Sequence, residues 1–331
     1  MRHAARPKSN CWGHTETMPS DARQPGSVLP PEIATWCAKA LGAAPVTLLL
    51  TAGHLSRVYG VELADGRAVA IKVRADDDDR VAACWAVQCH LADAGFPVAQ
   101  PLAGPARVGS ALVTAEILIQ GASSVAPTAA TVPAFAGLLA RFVQLARTSA
   151  SCGSLSPAPP WVGWDHGERG TWPVPDDLND DLNYSEGPVL AEMAGRRLRA
   201  RLRSVHLELV VGHLDWEAHN LLWQDGAPAA VLDSDSIGAR PEAAIAGAAA
   251  AVFPALGDTV AASIGQTEQF LAAYQAASGR QFSPTEQQVA WAAGAWVLAY
   301  NARKEAARMS RGPHQDRLAA DGAERLRRAG A

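Results

Sequence analysis

The chain has 331 residues, 48% hydrophobic and 19% charged, with a formal net charge of −4. This is the composition of a globular chain rather than a disordered one, and it lacks the basic excess that marks a nucleic-acid binder. Five cysteines, Cys11, Cys37, Cys84, Cys89 and Cys152, include no C-x-x-C pair, the pattern of free thiols in a reducing, cytoplasmic compartment.

In chain order, residues 1–28 lack an apolar core of signal-peptide length and read as a disordered leader, with Met18 as an alternative start. A helix is expected over 29–43. Residues 46–73, VTLLLTAGHLSRVYGVELADGRAVAIKV, read as strand, small-residue turn, strand, Asp65-Gly66 hairpin turn and strand. Lys72 stands on the apolar third strand, where burying its ammonium costs several kcal/mol unless an anion meets it; a solubilising edge lysine is the plainer alternative. In the turn from Thr51 to Ser56, backbone N–H groups near Gly53 and the Ser56 hydroxyl can hold phosphate oxygens, or the segment is an ordinary hairpin turn. Asp76 to Asp79 then suit a solvated helix N-terminus, followed by a helix over 80–94 and two strands over 98–119.

A helical region opens near 132 with VPAFAGLLARFVQLART. The arginines of 195–204 fit the exposed side of a helix that turns Leu198, Leu202 and Val205 inward. The apolar run 243–257 is too short to span a bilayer and contains Pro254, so it reads as a buried helix. Further helices are expected over 241–253, 264–278 and 284–307, the last opened by Ser283-Pro284-Thr285-Glu286.

The most informative segment is HLDWEAHN, residues 213–220, followed by VLDSDS at 231–236. Asn220 lies five positions after Asp215, and the intervening LLWQDGAPAAVL reads as a hairpin turning at Gln224-Asp225-Gly226. Such a hairpin returns Asp233 beside Asn220, so that both can face one metal. Phosphoryl transfer needs a carboxylate to orient the attacking hydroxyl, and a carboxamide and second carboxylate to hold Mg²⁺ against ATP phosphates. Asp215, Asn220 and Asp233 are the residue types for those tasks.

With these residues in view, the chain resembles the aminoglycoside phosphotransferase and choline kinase-like group of small-molecule kinases. The resemblance rests on His213-Leu214-Asp215, Asn220, Leu232-Asp233-Ser234-Asp235 and the AIK segment ending at Lys72. It implies an α+β, two-lobed protein kinase-like fold, with a small antiparallel-sheet N-lobe over 29–119 and a mainly helical C-lobe over 120–331. By the same resemblance Asp215 is the catalytic base, Asn220 and Asp233 bind Mg²⁺, Lys72 holds the ATP phosphates, His213 is structural and Asp235 is accessory or a second-metal group. The strand end near Ala115 to Ile117 becomes the adenine-binding hinge. Two departures stand out: Leu214 replaces a usual glycine, and residues 80–94 contain no glutamate to pair with the lysine. Gln88, on the inner face, can hydrogen-bond Lys72 there without charge, or an acid of the run Asp76 to Asp79 turns inward to meet it.

Residues 151–188 form an insert rich in Pro, Trp, Asp and Gly. Trp161, Trp164, Asp165 and Asp177 combine flat rings with carboxylates, as suits a cationic or polyhydroxylated acceptor; rings that merely anchor the loop are the alternative. Asn301, Arg303, Lys304 and Glu305 are candidates for the acceptor pocket by position only. The implied partner is a small-molecule hydroxyl substrate, with no nucleic acid, membrane or protein partner. Two other readings stay open: a nucleotide- or ligand-binding protein without turnover, suggested by the missing glutamate, and a hydrolase whose metal is held by His213, Asp215, His219 and Asp233.

Overall fold

The computed structural model describes residues 28–53, 56–75, 80–149, 152–178, 180–257 and 260–331. The leader up to residue 27, His54-Leu55 and the run Asp76 to Asp79 lie outside the described residues.

Helix α1 (Pro31–Leu41) precedes strands β1 (Pro45–Ala52), β2 (Arg57–Leu63) and β3 (Ala68–Ala75), helix α2 (Arg80–Asp93), and strands β4 (Pro101–Val108) and β5 (Ala111–Ile117). The five strands form one antiparallel sheet in the order β1-β2-β3-β5-β4. Because side chains alternate across a strand, its two faces differ sharply. Tyr59, Val61, Leu63, Val69, Ile71 and Val113 pack with Ile33 and Cys37 of α1 as a small apolar core. The opposite face of β3 and β5 carries Ala70, Lys72, Thr114 and Glu116, all buried. A polar face buried inside a protein needs internal partners, and this is the face turned to α2 and the cleft.

The rest of the chain is mainly helical. Short strand β6 (Ser123–Ser124) leads to α3 (Val132–Ala146), then single 3-10 turns at Cys152–Leu155 and Pro160–Val162 within the insert, and α4 (Val189–Arg203). Leu198 and Leu202 are buried on α4, as its spacing predicts. Strand β7 (Leu209–His213) pairs with β10 (Ile237–Pro241), and between them lies the hairpin of β8 (Leu221–Gln224) and β9 (Ala227–Val231). Asp225 and Gly226 both have positive φ, the requirement of a two-residue type I′ hairpin loop.

Four helices follow: α5 (Glu242–Val252), α6 (Ile264–Ser278), α7 (Pro284–Ala307) and α8 (Pro313–Ala329). The α6 and α7 N-termini carry full capping boxes, Ser263 with Gln266 and Ser283 with Glu286. All of α5 is buried. It lies so close to α7 that a Cβ on Gly247 would sit 1.9 Å from the Ala290 carbonyl oxygen, a distance only glycine permits. Helix α8, not among the elements expected from the sequence, covers α7 and buries Leu318 and Leu326. Among the described residues no helix is long and apolar enough to cross a membrane.

Candidate active site

The loop after β7 is organised by His213. Its Nε2 meets the Leu232 carbonyl at 3.0 Å, and its Nδ1 accepts from the Asp215 N–H at 3.3 Å, which fixes the Nε2-protonated tautomer. Burial lowers the imidazole pKa, in keeping with a neutral ring. Asn220 donates from Nδ2 to the Asp215 carboxylate at 2.9 Å and to the Asp215 carbonyl at 3.0 Å. That spends the amide nitrogen and leaves Oδ1 as the free acceptor.

The β8–β9 hairpin closes as its sequence predicts: the Leu232 N–H reaches back to the Asn220 carbonyl at 2.8 Å, so Asp233 follows beside Asn220. Asp233 has φ +56°, left-handed backbone that Asp tolerates better than most residues, and Ser236 Oγ donates to its Oδ2. Leu214 is buried in a bend without the positive φ that would call for glycine: its N–H bonds the Ser236 carbonyl and its own carbonyl accepts from Trp161 Nε1. Burial, then the nearby carboxylates of Glu217 and Asp233, push the Asp215 pKa well above the ordinary carboxylate range.

On the sheet side, Lys72 Nζ lies 3.0 Å from Glu116 Oε1, both side chains nearly buried. Burial draws the lysine pKa down, but Glu116, Asp235 and Asp233 together outweigh it and hold the pKa above that of a free lysine. Gln88 does not meet Lys72. Its Nε2 donates to Glu116 Oε2 at 2.7 Å and to the Ala99 carbonyl at 2.8 Å, because the β3–β5 register interposes Glu116. Asp235 is likewise engaged: Arg74, two residues beyond Lys72, grips both its oxygens at 2.7 Å, which keeps it ionised and occupied as an ion-pair partner rather than free as a second metal ligand. Arg80 donates to the carbonyls of Asp235 and Ile237, adding a second tie across the cleft.

At the strand end expected as the hinge, Ala115 lies mid-ladder between Ile71 and Ala103, and the Ile117 N–H is taken by the Gln100 carbonyl. The chain leaves the ladder at Leu118, whose N–H bonds the Ala68 carbonyl. Gly53 (φ +119°) closes the β1–β2 turn so tightly that a Cβ would lie 1.8 Å from the Ser56 carbonyl oxygen. The same turn carries Ser56, half-buried just before β2.

Beside Asp215 opens a pocket of about 140 Å³, lined by Trp161, Glu217, Asn301, Lys304 and the apolar side chains of Leu214, Ala248, Val252 and Val297. A second hollow of about 210 Å³ shares Glu217, Asn301 and Lys304 with it and extends to Glu305, Arg308 and His314. Of the four insert residues singled out in the sequence, Trp161 alone lines the pocket. Trp164 is buried under the Arg240 guanidinium, 4.6 Å away, and Asp165 binds that guanidinium at 2.6 and 2.8 Å, so both fasten the insert to β10. Asp177 pairs with Lys304 at 2.6 Å and Arg308 at 2.7 Å, which together hold its pKa down against burial. Of the charges at the end of α7, Arg303 is buried against Glu192 and the insert, and Glu305 accepts from His314 Nδ1 at 2.8 Å. His314, carried by α8, also places its Nε2 3.3 Å from Asn301 Nδ2.

No protein-family model matches the chain, and no curated protein matches its sequence. Solved structures do match. An amicoumacin kinase, determined with AMP-PNP and Ca²⁺, is 13% identical with a TM-score of 0.56, over 85% of this chain and 87% of that one. A microcompartment-associated aminopropanol kinase is 16% identical with a TM-score of 0.58, over 88% and 95%. The aminoglycoside phosphotransferase APH(4)-Ia is 15% identical with a TM-score of 0.54, over 91% and 99%. The chain has the two-lobed protein kinase-like fold. At these identities the likeness is one of architecture, and the kinase-like fold supplies the frame in which Asp215, Asn220, Asp233 and Lys72 surround one cleft. Among the described residues no group of three or more His, Cys, Asp or Glu side chains is arranged to hold a metal ion. Asn220 Oδ1 and one Asp233 oxygen have no partner among the hydrogen bonds of the described residues, a donor set suited to Mg²⁺, which takes one or two protein oxygens and completes its shell with phosphates and water.

Proposed function

We propose that the protein transfers the γ-phosphoryl group of ATP to a hydroxyl of a small polar molecule such as an aminoglycoside, amino sugar or similar metabolite. The observation that carries this reading is the single cleft in which an electrostatically perturbed Asp215, its Asn220 partner and Asp233 oppose a buried Lys72. Asp215 accepts a hydrogen bond from the acceptor hydroxyl and takes its proton as the new O–P bond forms, a role that its raised pKa favours. Asn220 Oδ1 and the free Asp233 oxygen are the groups that would hold Mg²⁺, whose chemistry when bound is to neutralise charge on the phosphates. Lys72 contributes a fixed positive charge to the phosphate end, and the backbone at 118–119 offers a donor and an acceptor for the base. The acceptor lies in the pocket of Trp161, Glu217 and Asn301.

The reading as a nucleotide-binding protein without turnover drew on the glutamate-free helix α2, and Glu116 removes that ground by standing 3.0 Å from the lysine. A metal hydrolase centred on His213 would need a ring nitrogen that Leu232 and Asp215 already use. The test is ADP release by the purified protein from ATP and Mg²⁺ across a panel of hydroxyl compounds. Acceptor-dependent release supports the proposal; silence across aminoglycosides, amino sugars and amino alcohols, or hydrolysis that needs metal but no nucleotide, defeats it.

A further inference from the structure

We infer that Glu116 is the positioning residue for Lys72, a strand-borne carboxylate that sets the lysine from within the sheet rather than from helix α2. The inference rests on the phosphotransferase reading for the importance of Lys72, but its geometry is independent of it. In the β3–β5 ladder Lys72 stands opposite Thr114 and Ala70 opposite Glu116. Glu116 is therefore the diagonal neighbour of Lys72 on the same face, within reach of a long side chain. The carboxylate is fully employed, with Oε1 on the Lys72 ammonium at 3.0 Å and Oε2 receiving the Gln88 amide at 2.7 Å. Gln88 is anchored in turn on the Ala99 carbonyl. Helix α2 has one acid, Asp93, exposed in its last turn, so its contribution at this point is a neutral amide.

The division of labour has a mechanical consequence. When a lysine's counter-charge sits on a separate helix, moving the helix breaks the pair. Here the pair is fixed by hydrogen-bond register between adjacent strands, and α2 only orients the outer oxygen of Glu116. The transposition of charge and amide, Glu on the strand and Gln on the helix, also explains why neither residue can be changed alone without leaving a buried group unmatched. Arg74 and Asp235 form their own bidentate pair on the same face, so Lys72 has Glu116 as its contacting carboxylate.

The experiment compares Mg²⁺·AMP-PNP affinity by titration calorimetry for the wild type, Lys72→Met, Glu116→Gln and the double variant Lys72→Met/Glu116→Gln. We expect about a tenfold or greater loss for Lys72→Met and for Glu116→Gln, in keeping with loss of a buried charged contact, and a double variant within about threefold of Lys72→Met, because a residue that acts through the lysine has nothing left to act on. A merely structural Glu116 would add its own loss in the Lys72→Met background. The inference falls if Lys72→Met weakens binding while Glu116→Gln binds like wild type, or if the folded double variant binds about tenfold more weakly than Lys72→Met. If Glu116→Gln does not fold, the double variant alone decides: affinity like that of Lys72→Met supports the inference and a further tenfold loss overturns it. Failure of the wild type itself to bind Mg²⁺·AMP-PNP would instead strike the phosphotransferase reading, and the role of Glu116 with it.

Discussion

The two ends of the cleft are built on opposite principles. At the sheet end the charges that face the cleft are matched: Lys72 pairs with Glu116, Arg74 with Asp235, and Arg80 donates to two backbone carbonyls. At the pocket end Asp215 is crowded by Glu217 and Asp233, and its raised pKa records burial together with that excess of negative charge. Matched pairs hold shape, because each partner removed leaves a buried charge exposed to its own desolvation cost. Unmatched groups hold reactivity, because a carboxylate whose ionisation is resisted gains most by meeting a proton donor. On the proposed function, the contrast puts rigidity at the phosphate side and chemistry at the acceptor side.

The sharpest way to break this contrast is Asp215→Asn. It should lower kcat by about 10²–10⁴-fold with Mg²⁺·AMP-PNP affinity changed by less than about threefold, measured by ADP release and calorimetry. Undiminished turnover would take the carboxylate out of its role. Arg74→Met probes the matched end. It abandons Asp235 between the lobes and should cost about 1–3 kcal/mol of stability, short of a fully buried pair because Asp235 retains some exposure, and appear as a fall in the thermal midpoint of several degrees. An unchanged midpoint would mean that the pair is ornamental.

Asn301→Ala tests the pocket end more gently. Loss of one hydrogen-bonding side chain should raise the acceptor KM about tenfold and leave the ATP KM in place; an equal rise in both would move Asn301 out of the acceptor wall. The smallest effect concerns pH. Because the folded-state pKa of Asp215 is raised, the folded chain holds that proton more tightly than the unfolded one, so this group's contribution favours folding at low pH. That advantage fades as pH climbs from the ordinary carboxylate value through the folded one. Asp215→Asn should therefore gain on the wild type at pH 7–8 relative to pH 4 in denaturant titrations at the two pH values. A constant difference would deny the perturbation.

Much of the cleft is legible in the chain because its cues are local. The Asp65-Gly66 and Asp225-Gly226 turns announce two hairpins, and the second returns Asp233 to Asn220 through short-range hydrogen bonds. The end of β5 is harder to place, because the last paired residue depends on how far β4 accompanies β5, and the Gln100 bond to Ile117 is not written in either segment. Glu116 escapes notice for a related reason: in sequence it is one acid inside ALVTAEILI, and only pairing with β3 sets it diagonal to Lys72. Its available signal is a glutamate on a strand that is otherwise apolar apart from Thr114, the same oddity that marks Lys72.

The insert and helix α7 show the limit from the other side. Tryptophans and aspartates in a long loop suggest recognition by composition, yet Trp164, Asp165 and Asp177 turn to Arg240, Lys304 and Arg308. Those cations lie far along the chain from the residues they meet, so no local pattern could name them. The sequence by itself determined most of the elements before α8 and the spacing of Asp215, Asn220 and Asp233, because hairpin turns and hydrophobic periodicity act over a few residues. Tertiary structure alone decided which charges are matched and which are left to react, because that depends on strand register and on long-range contacts between segments that the chain keeps far apart.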